Sequence, residues 1–142
     1  MREPDCIFCR IVAGEIPCTR LFEDEQVLAF MDIGPIIKGH ALVIPKAHYD
    51  PITAVPPAVL APLLTAVQRV ARAQQVGLGA EGINVIQNNG AVAGQAVKHV
   101  HFHVIPRFAA DGHHWNWNPK AYRDEIELQT FAERLRQALA TP

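Results

Sequence analysis

Hydrophobic and polar positions change their period several times along this chain, and each change marks an element. In "RLFEDEQVLAFMDI" two short apolar runs flank an acidic turn, predicting strands over Arg20–Glu23 and Val27–Met31 joined as a hairpin. Ala41 to Ile44 is an unbroken apolar run that Pro45 stops, the pattern of a buried strand. From Pro56 and Pro57, both suited to a first helical turn, Val59, Leu60, Leu63, Leu64, Val67, Val70 and Ala71 recur at helical spacing until Gly77 and Gly79 end the run. That predicts one long central helix. "GINVIQNNG" reads as a further strand leading into the glycine-containing loop "AVAGQAVK", and Ile126, Leu128, Phe131, Leu135 and Leu139 predict a C-terminal helix. At the other end, "CIFCRIVAGEIP" predicts a stubby helix after the cysteine pair, with Gly14 and Pro17 as terminators. This order of elements predicts an α+β fold: an antiparallel sheet with helices on it.

The sharpest pattern is "KHVHFHVIPR", Lys98 to Arg107. His99, His101 and His103 alternate with Val100, Phe102 and Val104, the period of a half-buried strand, so the apolar residues pack inward and an open polar row of imidazoles remains. Packing alone accounts poorly for three histidines on one face, because each buried ring nitrogen needs a partner and neighbouring imidazolium ions repel. Same-face neighbours on a strand lie about 6.6 Å apart and the outer pair about 13 Å, whereas zinc–imidazole bonds are about 2.0–2.1 Å long. One ion therefore cannot serve both His99 and His103, and the row must divide its duties.

Composition narrows the field. The 142 residues are 49% hydrophobic, enough for one compact domain over 1–142 with a real core. A formal net charge of −1, with no lysine or arginine cluster, gives no general attraction to polyanions, so nucleic acid is not an expected partner. No apolar run approaches the length of a membrane span, and the start has no signal-peptide core, so neither a membrane nor secretion is expected and a cytoplasmic location is. In a reducing compartment Cys6 and Cys9 read as metal ligands or as two ordinary thiols rather than a disulfide, and Cys18 as a partly buried thiol.

Three constellations could carry chemistry. Two thiolates separated by two residues can meet one zinc ion from a tight turn, but a closed site needs two more ligands. All seven histidines are candidates, with His48 beyond the "VIPK" strand and His99 at the head of the row favoured. His101, between two other imidazoles, is the natural nucleophile towards phosphorus, since a neutral ring near pH 7 forms a phosphorus–nitrogen bond that water later attacks. In "QNNGAVAGQAVKH", Asn88 and Gln95 supply neutral donors while Gly90 and Gly94 let backbone amides approach an anion. That loop is a phosphate cradle if it stands beside the histidine row, and otherwise merely a turn.

"HVHFHV" resembles the His-x-His-x-His-x-x signature of the histidine triad family of nucleotide hydrolases and transferases. "CIFCRIVAGEIP", "EDEQVLAFMDI", "GHALVIPKAH" and "NNGAVAGQAVKHVHFHVIPR" follow in the order and spacing of its Hint-like branch, covering about residues 6–107 and leaving 108–142 as a C-terminal extension. The resemblance implies a twofold homodimer whose sheets join, and action at the α-phosphorus of purine nucleotide derivatives of AMP or GMP type. It casts His101 as nucleophile, His103 and His40 as phosphate contacts or aids to the nucleophile, and His99 as the first triad member. It also casts Asp32 as a ribose ligand, Asn88 and Gln95 as ribose and phosphate contacts, and the Val97 amide as a phosphate donor. Zinc-containing bacterial relatives look similar at Cys6, Cys9, His48 and His99, which implies a structural zinc not needed for the chemistry.

One departure stands out. Many relatives have serine where this chain has Ala96, so a hydroxyl near the leaving group is missing and protonation of a departing amine is weakened. Trp115 and Trp117 resemble the tryptophan-bearing tail that in relatives lies near the partner's active site; they are equally readable as packing anchors. Phosphoramidates, acyl-adenylates and dinucleoside polyphosphates all remain open as substrates. Two rival readings stand beside this one: a hydrolase using zinc-activated water, and a nucleotide-binding protein without turnover.

Overall fold

The computed structural model describes residues 2–141. Its elements are α1 (Ile7–Val12), β1 (Arg20–Glu23), β2 (Val27–Met31), β3 (Ala41–Pro45), α2 (Pro57–Leu78), β4 (Gly82–Ile86), β5 (Phe102–Arg107) and α3 (Glu125–Ala140). The five strands form one sheet in the order β1-β2-β3-β5-β4, with every neighbouring pair antiparallel, so the chain is an α+β protein. Among the described residues no helix is long and apolar enough to cross a membrane.

The apolar runs of β2 and β3 are continuous because both sheet faces are covered. Val27, Ala29, Ala41 and Val43 point to one face and join Leu63, Ala66, Val67 and Val70 of α2. Leu28, Phe30, Leu42 and Ile44 point to the other and join Phe8 and Ile11 of α1. Period two in the strands thus feeds two cores at once, each closed by one helix. Val100, Phe102 and Val104 belong to the α2 core, which leaves the histidines on the α1 side.

Several expectations need correction. The histidine row is not an open face: His99 and His101 are buried, because Phe8 of α1 lies edge-on against both rings, with centroids 5.8 and 5.1 Å away. Only His103 lies within β5, which begins at Phe102; upstream, the Val100 amide bonds to the Tyr49 carbonyl instead of to a strand partner. The first helix does not follow the cysteine pair but starts inside it, since Cys6 is its N-cap and accepts the Cys9 N–H on Sγ at 3.5 Å. Pro45 is the last residue of β3 rather than the residue after it. Helix α2 runs through Gly77 and ends at Gly79, whose φ of +67° supplies the left-handed cap.

Gly39 sets the entrance to β3 and so the position of His40. Its φ is +101°, and a Cβ there would stand 2.5 Å from Leu78 Cδ1 and 3.1 Å from Pro106 Cγ. Gly39→Ala is expected to destabilise the fold by about 2 kcal/mol or more in urea titrations, combining backbone strain with steric conflict. Adding Leu78→Ala to that variant should relieve only the steric part, leaving the φ penalty visible in a double-mutant cycle.

Candidate functional site

The histidine row divides into two clusters that meet at His99. In the first, the N-cap of α1 brings the two thiols together at the head of the row. Cys6 Sγ and Cys9 Sγ lie 3.4 and 3.7 Å from His99 Nδ1, and Cys9 Sγ lies 3.4 Å from His48 Nδ1. All four ligand atoms fall within 4.8 Å of one another. A tetrahedral zinc with sulfur bonds near 2.3 Å and nitrogen bonds near 2.05 Å has sulfur–nitrogen edges of about 3.6 Å, so this donor set fits such an ion without rearrangement. The His99 ring is already oriented for that role: its Nε2 sits 2.8 Å from the Pro45 carbonyl and donates to it, leaving the Nδ1 lone pair facing the thiols. Burial pushes the Cys6 thiol above its ordinary value, so a metal cation would supply the counter-charge that the site lacks.

In the second cluster the hydrogen bonds fix the ring tautomers. The His101 Nδ1–H donates to the His99 carbonyl at 2.6 Å, which leaves the lone pair of the neutral ring on Nε2. His40 Nδ1 accepts the Ile36 amide at 3.1 Å, so its proton sits on Nε2, from which it donates to His103 Nδ1 at 2.9 Å. The proton of neutral His103 therefore sits on Nε2. Asp32 Oδ2 lies 3.5 Å from His40 Nε2, while Asp32 Oδ1 accepts the Gly34 amide at 2.8 Å. The His101 and His103 ring centroids are 5.1 Å apart. Burial pushes His103 down to about 4, reinforced by the adjacent His101 and His40 rings and opposed only by Asp32. His40 is lowered for the same reason, with Asp32 again opposing. The cluster holds neutral imidazoles with assigned donors and acceptors.

The loop of residues 88–97 treats its polar residues unequally. Gln95 is wholly engaged within the protein: its Nε2 donates to Asp50 Oδ1 at 2.7 Å and to the Val97 carbonyl at 2.9 Å, and its Oε1 accepts the Gly90 amide at 2.7 Å. It braces the loop rather than presenting a free donor. Among the described residues the Asn88 side chain and the Val97 amide have no protein partner, so both remain available. Gly90 and Gly94 hold φ of +87° and +92°, the conformations their lack of a side chain allows. Ala96 is exposed and offers no hydroxyl.

Residues outside the sequence-based list complete the arrangement. Phe8 covers His101 and the Pro45 carbonyl orients His99, yet neither carries a sequence signal beyond being an apolar residue near a motif. Asp50 anchors Gln95 and stands only two residues beyond His48, which could have drawn attention to it. Trp115 donates from Nε1 to Asn84 Oδ1 at 2.8 Å, the same oxygen that takes a bond from Arg107, so it anchors the tail to β4. Trp117 is 88% exposed.

An antiparallel sheet with a histidine row split between a thiol–imidazole cluster and an imidazole–carboxylate cluster defines a histidine triad protein. Residues 13–110 match the HIT domain family, and the chain belongs to it. It is 50% identical over 102 residues to an adenosine 5'-monophosphoramidase of Schizosaccharomyces pombe, covering 72% of this chain and 74% of that one. A HIT family crystal structure from Bacillus subtilis superposes with a TM-score of 0.90 at 40% identity, covering 97% of this chain and 99% of that one. A zinc-bound histidine triad protein from Mycobacterium smegmatis superposes with a TM-score of 0.74 at 39% identity, covering 94% and 97%.

The neutral state of the second cluster predicts a pH signature. The folded pKa of His103, about 4, lies below its ordinary 6.5, so the unfolded chain binds this proton more readily. The stability it contributes is complete above pH 6.5 and is lost as the pH falls towards 4. Urea midpoints should decline through that window, and His103→Asn should flatten the decline.

Proposed function

We propose that this protein hydrolyses or transfers the nucleoside monophosphate group of purine nucleotide derivatives, attacking the α-phosphorus with His101 Nε2. The observation that carries this reading is the 2.6 Å bond from His101 Nδ1 to the His99 carbonyl. It places the lone pair on the other nitrogen and stabilises the positive charge that the ring acquires when Nε2 bonds to phosphorus. As that bond forms, the bond from phosphorus to the leaving group breaks and the leaving group takes up a proton. Water then cleaves the phosphorus–nitrogen bond, releasing the monophosphate and restoring neutral His101.

The remaining residues take supporting roles. The Nε2–H of His103 and the Val97 amide donate to phosphate oxygens, and His40 holds the His103 tautomer in place. Asp32 accepts from ribose hydroxyls and Asn88 adds a neutral donor. Gln95 acts by holding the loop in shape, since its amide is engaged internally. With alanine at position 96, the leaving group must draw its proton from elsewhere, which favours phosphate or carboxylate leaving groups over amines. Cys6, Cys9, His48 and His99 would hold a structural zinc that clamps α1 to the sheet. The monophosphoramidase name of the Schizosaccharomyces pombe relative and the zinc of the Mycobacterium smegmatis one support the activity and the metal. The functional unit is one HIT domain with a C-terminal extension, working as a homodimer.

Zinc-activated water at Asp32, His40 and His103 is the weaker alternative. Two nitrogens on one tetrahedral zinc stand about 3.3 Å apart, whereas His40 and His103 approach to 2.9 Å as a hydrogen-bonded pair.

Incubation with an adenosine phosphoramidate or diadenosine polyphosphate, followed by a rapid quench and mass spectrometry, should reveal an adenylyl group on His101. His101→Ala should lower kcat by about 10³-fold or more while retaining nucleotide binding. Binding with no adduct on any derivative would establish a non-enzymatic nucleotide-binding protein instead.

Elemental analysis of the purified protein should find one zinc per chain. Cys9→Ser should remove the metal and lower the melting temperature. Chelation should also lower the melting temperature, while adduct formation by the protein that remains folded persists.

A further inference from the structure

The two thiols at the head of the histidine row are unequal. Cys9 is 2% exposed, whereas Cys6 is only partly buried and opens into a pocket of about 560 Å³ that it lines together with His48 and Lys98. Their sulfurs nevertheless lie within 4.8 Å of each other, at 3.4 and 3.7 Å from the same His99 Nδ1. Backbone N–H groups hold them there: the Cys9 amide donates to Cys6 Sγ at 3.5 Å and the Glu3 amide to Cys9 Sγ at 3.4 Å. Residues three apart at the start of an α-helix have Cα atoms about 5 Å from each other, inside the range of a disulfide. A sulfur reachable from solvent beside one that is not makes an attacking thiol and a resolving one.

We propose that Cys6 and Cys9 are a pair oxidised by hydroperoxide, and that their disulfide form cannot hold the metal, so that these residues act as a reversible catch on α1. Metal release rests on the structural zinc proposed above; the disulfide does not. Cys6, reached through the pocket, attacks a peroxide oxygen: the sulfur–oxygen bond forms, the oxygen–oxygen bond breaks, and the departing hydroxide leaves as water with the thiol proton. Cys9 Sγ then attacks the Cys6 sulfur, the sulfur–sulfur bond forms as the sulfur–oxygen bond breaks, and a second water carries off the Cys9 proton. The two sulfurs together lose two electrons, which the peroxide gains.

Charge selects the oxidant. Glu3, Asp5 and Asp50 line the pocket against Lys98, so an uncharged hydroperoxide enters more readily than an anionic disulfide such as oxidised glutathione. The consequence reaches the imidazoles through α1. A disulfide leaves only His48 and His99 where a closed tetrahedral site needs four ligands. Phe8, which stands between the two cysteines in the chain, is the ring that covers both His99 and His101. Oxidation therefore frees the helix that shields them.

The test uses the full chain as purified. Arg2 and Arg10 bound a tryptic peptide, residues 3–10, that holds both cysteines and excludes Cys18. After hydrogen peroxide that peptide should be lighter by two hydrogen atoms and resist alkylation, Cys18 should remain alkylatable, and a chromogenic chelator should detect one zinc ion released per disulfide. The melting temperature should fall with the release, and dithiothreitol with added zinc should restore it. Cys9→Ser should stop at a Cys6 sulfenic acid that dimedone traps, whereas Cys18→Ser should oxidise and release zinc at the wild-type rate. Thiols left untouched by peroxide that oxidises free cysteine, oxidation of Cys18 first, Cys6 carried on to sulfinic acid without a disulfide, or a disulfide that retains its zinc would each overturn the proposal. A chain purified without metal would instead overturn the zinc reading, and the mass of the same peptide would still decide the disulfide.

Discussion

Everything at this site turns on His99, which belongs to both clusters through different atoms. Its side chain faces the thiols through Nδ1 and is held from behind by the Pro45 carbonyl, while its own carbonyl holds His101 Nδ1–H. The ring that would bind a metal and the backbone that fixes the His101 tautomer are one residue, so neither cluster can shift without disturbing the other. Phe8 adds a second link, since it rides on the helix capped by Cys6 and packs on both His99 and His101. A metal held by Cys6, Cys9, His48 and His99 would thus bear on the orientation of His101 through packing and one hydrogen bond rather than through its charge.

Burial on the α1 side explains why the site needs this rigidity. Charged imidazolium ions in that position would pay a desolvation penalty and repel one another, and burial accordingly pushes His99 and His103 each down to about 4. Neutral rings are held in a fixed orientation chiefly by directed hydrogen bonds. The run from the Ile36 amide through His40 to His103 supplies such bonds: His40 accepts on Nδ1 and donates from Nε2, and His103 accepts on Nδ1. Orientation therefore replaces charge as the organising principle of the cluster.

Most of the fold was legible because period two and period 3.6 are local signals. The strands over Arg20–Glu23 and Val27–Met31, the central helix and the C-terminal helix all lie where the apolar spacing puts them. The expected division of the histidine row rested on strand spacing, yet only His103 lies within β5, so that spacing does not hold at His99 and His101. What escaped was long-range. Nothing in "KHVHFHV" says that a six-residue helix ninety positions earlier covers the imidazoles, because a half-buried strand and a fully buried one differ only in what lies across from them. Nor does the spacing of Cys6 and Cys9 reveal that a thiol serves as N-cap, since cysteine is not among the usual capping residues.

Gln95 shows the same limit at the scale of one side chain. Residue type marks it as a donor near an anion, and the resemblance to relatives says the same, yet its three hydrogen bonds to Asp50, Val97 and Gly90 close the loop on itself. An amide engaged in that way would still serve an anion, by holding beside the turn a Val97 N–H that has no partner among the described residues. The sequence names which residues have the chemistry. Which of them are free to meet a ligand, and which hold the others still, is decided by partners that the fold brings in from elsewhere.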